Sequence, residues 1–436
     1  MTETAHNVDF FDRRTNDCPF PAYRQLRDDS PVWQDPTTGM FVLTRYDDIR
    51  AVEMDTKRFR NTISTQTVGE IGLSVDGVDS KQRFESQLKN DALAKAYEND
   101  GWEPGPALNA RDEPEHSQVR RSLFEASFRP TNQAHFDRIV GETVDDLIDG
   151  FIDDGRCEWV SQFAAPMTLT AIMKHVGLPA TDLPLVKDMT LAWIARAGLM
   201  ATPDIEQRAA KLELDFQKYA QSHFERVRRE PDDTLLSTIV NTPVPEWNRV
   251  LTDEELHGFV TTDMMVGGGE TTTGALAGGA RLLAENPQMF DKLASDPDAY
   301  LDTFIEEVVR LEAPVQGMFR QAAEDVELHG VTIPAGSVVN LRFGSANRDE
   351  RHYEDPDELD FDRKNPRRHL AFGTGLHVCL GNTLARREMY HTFKAMVERF
   401  ESIRLVDSPD ALTYRPNYVV RCLDELHIEF TPRARR

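Results

Sequence analysis

The sequence predicts a mainly α-helical fold with small β-sheets at its periphery. From about residue 116 to 310, apolar residues recur at helical spacing, as in IVGETVDDLIDGFI, and proline or glycine separates one helix from the next. Near the N-terminus, PVWQDPTTGMFVLTRYDDI places short β-prone runs around a Pro/Thr/Gly turn, and Asp47 suits the N-cap of a following helix. Strand-like alternation returns in VELHGVTIPAGSVVNL and YVVRCLDELHIEF. Between residues 70 and 111 the text is charged and irregular, and DSKQRFESQLKNDALAKAYEND reads as one or two exposed helices in a surface insertion. No internal repeat is visible.

With 436 residues, 40% of them apolar, the chain can bury a large core. No Ser/Gly-rich or Pro-rich linker divides it, so a single domain over 1–436 and a monomer are expected. Fifty basic against seventy-four acidic side chains give a formal charge of -24. Such a charge repels a phosphate backbone and an anionic bilayer, which argues against nucleic acid and membrane as general partners. No basic stretch followed by an apolar run opens the chain, and nowhere do about 18 apolar residues run together, so a soluble, cytoplasmic protein is expected. Cys18, Cys157, Cys379 and Cys422 are too widely separated for a disulfide framework or a CxxC metal site. Three of them fit the ordinary role of a small, inert core residue. Cys379 does not.

Cys379 lies in FGTGLHVCLG, a glycine-rich loop running directly into the helical pattern LGNTLARREMYHTFKAMVERF, where Phe393, Met396 and Phe400 repeat at three and four residues. A helix N-terminus favours a thiolate through its dipole and its free N–H groups. Glycines at 373, 375 and 381 allow backbone to approach a flat ligand and its sulfur. The six fixed letters of F-G-x-G-x-H-x-C-x-G would arise in such a chain by chance with probability on the order of 10⁻⁵.

Upstream, TDEELHGFVTTDMMVGGGETTTGALAGGARLLAENP opens with a capping box, Thr252 with Glu255, and stops at Asn286-Pro287, which predicts one long helix. Its glycines at 267, 268, 269, 274, 278 and 279 each cost about 1 kcal/mol relative to alanine. Close approach of a large planar group would offset that cost, and Glu270-Thr271 sets an acid beside a hydroxyl at the same point. A glycine-softened core helix explains the segment equally well when it is taken alone. Glu307 and Arg310 in FIEEVVRLEAPVQ share a helix face, and by themselves read as a surface ion pair.

Together these segments, from about residue 112 to 390, resemble the cytochrome P450 superfamily, and its soluble bacterial branch in particular. The resemblance implies a haem b between the Gly-rich helix and the Cys-loop helix. Cys379 would be the axial iron ligand, with Phe372, Gly373 and Gly381 against the cofactor. His116, Arg120, Arg320 and His377 match, position by position, the family's contacts to the haem propionates. Thr271 and Glu270 match its oxygen-activating alcohol and acid, while Glu307, Arg310 and Arg363 match the trio that holds the cysteine loop. Leu359 stands where many members have phenylalanine. Thr262, Met265, Val266, Val315, Met318 and Phe319 fall at substrate-pocket positions, joined by the 70–111 insertion and residues around 190–202.

The implied activity is insertion of one atom of dioxygen into a small hydrophobic substrate. Electrons would originate from NAD(P)H and pass through a ferredoxin reductase and a separate ferredoxin. Arg363, Lys364, Arg367, Arg368, Arg386 and Arg387 cluster around the loop and suit docking of an acidic ferredoxin. A peroxide-driven or non-hydroxylating haem-thiolate enzyme and a non-catalytic haem sensor are the alternatives. The Glu270-Thr271 pair argues against the first, and no second module or DNA-binding element supports the other.

Overall fold

The computed structural model describes residues 8–61 and 91–433, so half of the expected 70–111 insertion lies outside the described residues. Helices dominate. Those that build the site are α1 (Tyr46–Met54), α2 (Asp91–Asp100), α3 (Glu115–Val119), α4 (Gln133–Asp149), α5 (Ala165–Val176), α6 (Leu183–Ala197), α7 (Pro203–Arg229), α8 (Gly267–Glu285), α9 (Pro297–Glu312) and α10 (Asn382–Arg399). Among the described residues, ten short strands form three small sheets. β1 (Val32–Gln34), β2 (Phe41–Leu43), β3 (Phe59–Arg60), β5 (Met318–Ala322) and β8 (Val338–Leu341) make the largest, in the order β1-β2-β8-β5-β3. β4 (Arg156–Glu158), β9 (Phe400–Leu405) and β10 (His427–Pro432) make the second, and the hairpin of β6 (Val326–Leu328) and β7 (Val331–Ile333) the third.

The N-terminal hairpin is completed by chain from the far end of the sequence: β2 pairs in parallel with β8, Phe41 opposite Val339, and β8 pairs antiparallel with β5, Val339 opposite Arg320. The register therefore carries Arg320 to the edge of the helical core.

α1 begins at Tyr46, one residue before the expected cap. Asp47 sits in the first turn, where its charge suits the helix dipole, and the N–H of Tyr46 is taken instead by Oδ2 of Asp349 at 3.0 Å. A tertiary contact has replaced a local one. The exposed-helix reading of the insertion holds for α2, whose Tyr97 hydroxyl reaches Glu213 of α7 at 3.4 Å.

The predicted helix over 252–287 is continuous but changes gauge. The capping box between Thr252 and Glu255 forms on both sides and starts an α-helical turn, Asp253–Gly258, which passes through a π-helical stretch, Phe259–Val266, into α8. A π-stretch rotates the residues that follow it relative to those before it.

α8 is the central helix, packed by α5, α9 and α10, and the packing explains most of its glycines. A Cβ on Gly269 would sit 2.4 Å from Leu169 of α5, and one on Gly279 only 2.3 Å from Phe393 of α10. Gly268 and Gly278 meet Ile172 and Glu312 comparably closely. Of the six glycines, only Gly267 and Gly268 face the cavity, so the expectation that they serve approach to a planar group is corrected: helix–helix contact accounts for Gly269, Gly278 and Gly279, and Gly274 packs on the Arg421 carbonyl and Pro314.

Candidate active site: a cavity between the Cys loop and the glycine-rich helix

Cys379 opens onto an internal cavity of about 280 Å³, walled by α8 on one side and by the loop and first turns of α10 on the other. The loop is shaped by short-range chemistry. Gly373 and Gly375 take φ of +64° and +67°, the left-handed region that side chains resist, while packing against Glu53 and Met54. The N–H of Cys379 donates to the Phe372 carbonyl at 2.8 Å, closing the loop on itself. Gly381 has an ordinary φ of -80°, yet a Cβ there would touch nothing within 4 Å and would project into free space.

Burial pushes the Cys379 thiol above its usual range, although the N–H of Gly381, the charges of Arg120 and Arg386 and the N–H of Asn382 pull it down. The expected helix-terminus effect is therefore present but outweighed. A thiolate at this position needs a further cation, which an iron centre would provide. Among the described residues, no group of three or more His, Cys, Asp or Glu side chains could hold a metal without such a cofactor.

At the rim of the cavity, four polar side chains converge from three different segments. His116 of α3, 1% exposed, and His377 of the loop place their rings 4.2 Å apart, and Nδ1 of each is buried without a hydrogen-bond partner among the described residues. Burial pushes His116 down to about 4 and His377 to about 2, reinforced at His116 by Arg120 and at His377 by His116 and the arginines. Arg120 spends one N–H on the Val378 carbonyl at 2.9 Å, and Arg320 spends one on the Phe319 carbonyl at 2.8 Å. Arg320 also reaches Glu53 Oε1 at 3.5 Å and Arg120 lies 3.9 Å from Glu125, and both guanidiniums line the cavity beside the two neutral imidazoles. Buried donors without acceptors are costly, and an anionic group resting here would satisfy them together.

On the opposite wall, Thr271 faces the cavity and donates its hydroxyl to the Gly267 carbonyl at 2.8 Å. Glu270 does not face it. One helical residue is a rotation of about 100°, so its carboxylate points elsewhere, accepting from Arg415 at 2.9 Å through Oε2 while Oε1 stays unpartnered among the described residues. Burial raises the Glu270 pKa against the opposing charges of Arg415 and Lys187.

Of the expected substrate positions, Thr262, Val315 and Met318 line the cavity. Met265, Val266 and Phe319 are buried elsewhere. Met265 joins the central core, while Val266 packs in a second cluster with Ile194, and Phe319 stacks on Tyr418 there. Strand and helix alternation turn these three away from their lining neighbours.

Behind the loop lies the reverse of the predicted surface pair. Glu307 and Arg310 have fully buried side chains joined by two contacts, 2.6 and 2.8 Å, and Arg363 approaches the same carboxylate at 2.8 Å. Arg310 also donates to the carbonyls of Asn347, Pro356 and Glu358. Its neighbour Glu306 accepts from His369 at 2.9 Å and Arg386 at 2.7 Å. Despite burial, which alone would raise it, these bonds hold Glu306 at about 2. Arg386 also lies 4.5 Å over the Phe372 ring, tying this cluster to the cysteine loop.

Arg363 is thus internal, Arg386 is half-buried on Glu306 and Arg387 is paired with Asp137, so the exposed members of the expected basic cluster are Lys364, Arg368 and Arg367, the last 3.2 Å from Glu306. Several cavity residues escaped the sequence reading. Glu53, Asp263 and Glu388 are acids on its wall, and Glu388 and Asp263 left a signal, each being a lone charge in phase with apolar neighbours on its helix. Arg415 left none, being 145 positions from its partner.

A sulfur facing a cavity, a ring of polar groups suited to two carboxylates, and a hydroxyl-bearing helix opposite define a haem-thiolate protein in a helical fold. The family model for cytochrome P450 matches residues 185–414. A steroid C26-monooxygenase of Mycolicibacterium smegmatis is 31% identical over 95% of this chain and 93% of its own. A vitamin D(3) 25-hydroxylase of Pseudonocardia autotrophica is 29% identical over 95% of this chain and 94% of its own. The solved structure of an intact type IV self-sufficient cytochrome P450 monooxygenase superposes with a TM-score of 0.85 at 28% identity, covering 98% of this chain and 53% of that one. The chain belongs to the cytochrome P450 family and is a haem-thiolate monooxygenase. Among the described residues, no helix is long and apolar enough to cross a membrane.

Proposed function

We propose that Cys379 would hold a haem b through its sulfur, that His116, Arg120, Arg320 and His377 would hold the propionates, and that the protein oxygenates an apolar, polycyclic substrate. The observation that carries this is the convergence on one cavity of the Cys379 sulfur, two unpartnered histidine nitrogens and two arginines. Phe372, Gly373 and Gly381 would lie against the cofactor, the last leaving room where any side chain would intrude. Bound haem supplies the redox chemistry, activating dioxygen so that one atom enters the substrate and the other leaves as water.

The chain's own groups supply position and protons. Thr271 Oγ1 holds a proton at the cavity wall, now shared with the Gly267 carbonyl, and Glu270 is the acid that replenishes it once its carboxylate turns from Arg415. Glu307, Arg310 and Arg363 fix the segment that carries the cysteine loop. Thr262, Val315 and Met318 contact the substrate. The relatives that act on a steroid and on vitamin D(3) support a polycyclic apolar body. Electrons would reach the loop from NAD(P)H by way of a reductase and a ferredoxin docked on Lys364, Arg367 and Arg368.

The reduced, carbon monoxide-bound difference spectrum tests the ligand assignment: a thiolate-type band in the wild type and its absence in Cys379→Ser are expected, and an unchanged spectrum in the variant overturns it. Labelled dioxygen appearing in the product tests the oxygenation.

A further inference from the structure

Away from its rim and from the wall that carries Thr271, Thr272 and Glu388, the cavity is polar where a short 3₁₀ turn, Leu108–Ala110, meets the π-stretch of the central helix. Asp263, from that stretch, accepts the N–H of Leu108 at 2.6 Å and that of Asn109, so its carboxylate caps the turn. Capping does not use the group up. Asp263 is enclosed by protein on every side that matters to its charge, and burial pushes it up to about 7, yet it stays half-open because its free side gives onto the cavity. Asn61 meets the same turn from the sheet side. Its amide orientation is settled, because Nδ2 donates to the Asn109 carbonyl at 2.6 Å, which leaves Oδ1 facing inward. That oxygen is buried and without a partner among the described residues, in a residue 5% exposed.

Asn61 Oδ1 and, when ionised, the Asp263 carboxylate offer the cavity acceptors, and the Thr262 hydroxyl beside them can take either role. A purely apolar ligand would leave both oxygens dry, at a cost a hydrogen-bond donor would remove. We propose that this end of the cavity is a polar anchor subsite, with Asp263 and Asn61 as specificity residues that select apolar substrates bearing a hydroxyl group. The inference rests on the oxygenase reading above, and it restricts the substrate class to alcohols that are held by their hydroxyl while another part of the body faces the cysteine.

A matched pair of probes tests it: testosterone, which carries a hydroxyl donor, and androst-4-ene-3,17-dione, which has the same rings and a ketone in its place. Equilibrium dialysis of the labelled steroids against the holoprotein reads affinity without relying on a haem signal, and the carbon monoxide spectrum of the same samples reports separately on the oxygenase reading. The wild type is expected to prefer the alcohol by about tenfold or more, the weight of a hydrogen bond to a charged group. Asp263→Asn keeps an acceptor for the Leu108 N–H but loses the charge, and should bring the two probes to within about threefold while leaving the spectrum and imidazole affinity unchanged. A wild type that binds neither probe, or binds both equally, overturns the proposal. So does a variant that loses affinity for both by the same factor, as a purely structural cap would require.

Discussion

The two sides of the cysteine loop handle buried charge in opposite ways. Behind it, Glu306 and Glu307 are almost fully buried and saturated: each carboxylate takes two or more cationic partners, and Arg310 spends further donors on three carbonyls. In front of it, buried polar atoms are left over, Nδ1 of His116 and His377, Oε2 of Glu53, Oε1 of Glu388 and Oδ1 of Asn61. A saturated network rigidifies a scaffold, and removing one member exposes its partners. Leftover groups cost stability unless something else binds them, so they mark where ligand and chemistry belong.

Substitutions on the two sides should therefore differ in kind. Cys379→Ser has the largest expected effect on function, loss of the thiolate band and of turnover to background, with the fold retained by far-ultraviolet circular dichroism. Next is Glu307→Gln, which strands Arg310 and Arg363 in the interior and should cost about 3–5 kcal/mol in denaturant unfolding. A loss under 1 kcal/mol would show that the saturated side is no scaffold.

Thr271→Ala should leave stability within about 1 kcal/mol, since it removes only a bond to a helix carbonyl, while product formation falls about 10²-fold and peroxide released per electron pair rises. His116→Phe sharpens the contrast further. It deletes an unpartnered buried nitrogen, so the haem-free protein should be no less stable, whereas haem dissociation should quicken by about tenfold. Equal losses in both measurements would place His116 with the scaffold.

The smallest effect concerns pH. Burial raises Glu388 from 4.5 to about 8, against a hydrogen bond from Thr272. The folded state therefore binds this proton more tightly than the unfolded chain does, and stability from this group is lost as pH rises from about 4.5 through 8. Glu388→Gln should abolish that loss, so its melting temperature should gain on the wild type between pH 5 and pH 8. A variant whose melting temperature falls relative to the wild type over that range contradicts the sign.

Legibility followed distance along the chain. The loop FGTGLHVCLG, the capping box at Thr252 and the Glu307–Arg310 spacing are contiguous, and each was readable as chemistry. What spacing could not supply was environment. The same pair that reads as a surface bridge is the most deeply buried ion pair at the site, because burial depends on what packs over a helix face and not on the face itself. The glycines of the central helix fit a planar ligand or a softened core helix equally well in the sequence, and tertiary packing sets four of the six against Ile172, Leu169, Glu312 and Phe393. Arg386 and Arg387 were read as a docking surface because a charge count cannot see the carboxylates that neutralise it.

By itself the sequence determined the helical class, the sulfur and its glycine loop, and the family, since turn conformation, capping and motif chemistry act within a few residues. Only the tertiary structure decided which charges are saturated, that Glu270 is held by Arg415, and that Asp263 and Asn61 meet at one turn of the cavity wall. Those contacts join segments far apart in the chain, and it is the close packing of helices around one core, not any local preference, that brings them within hydrogen-bond reach.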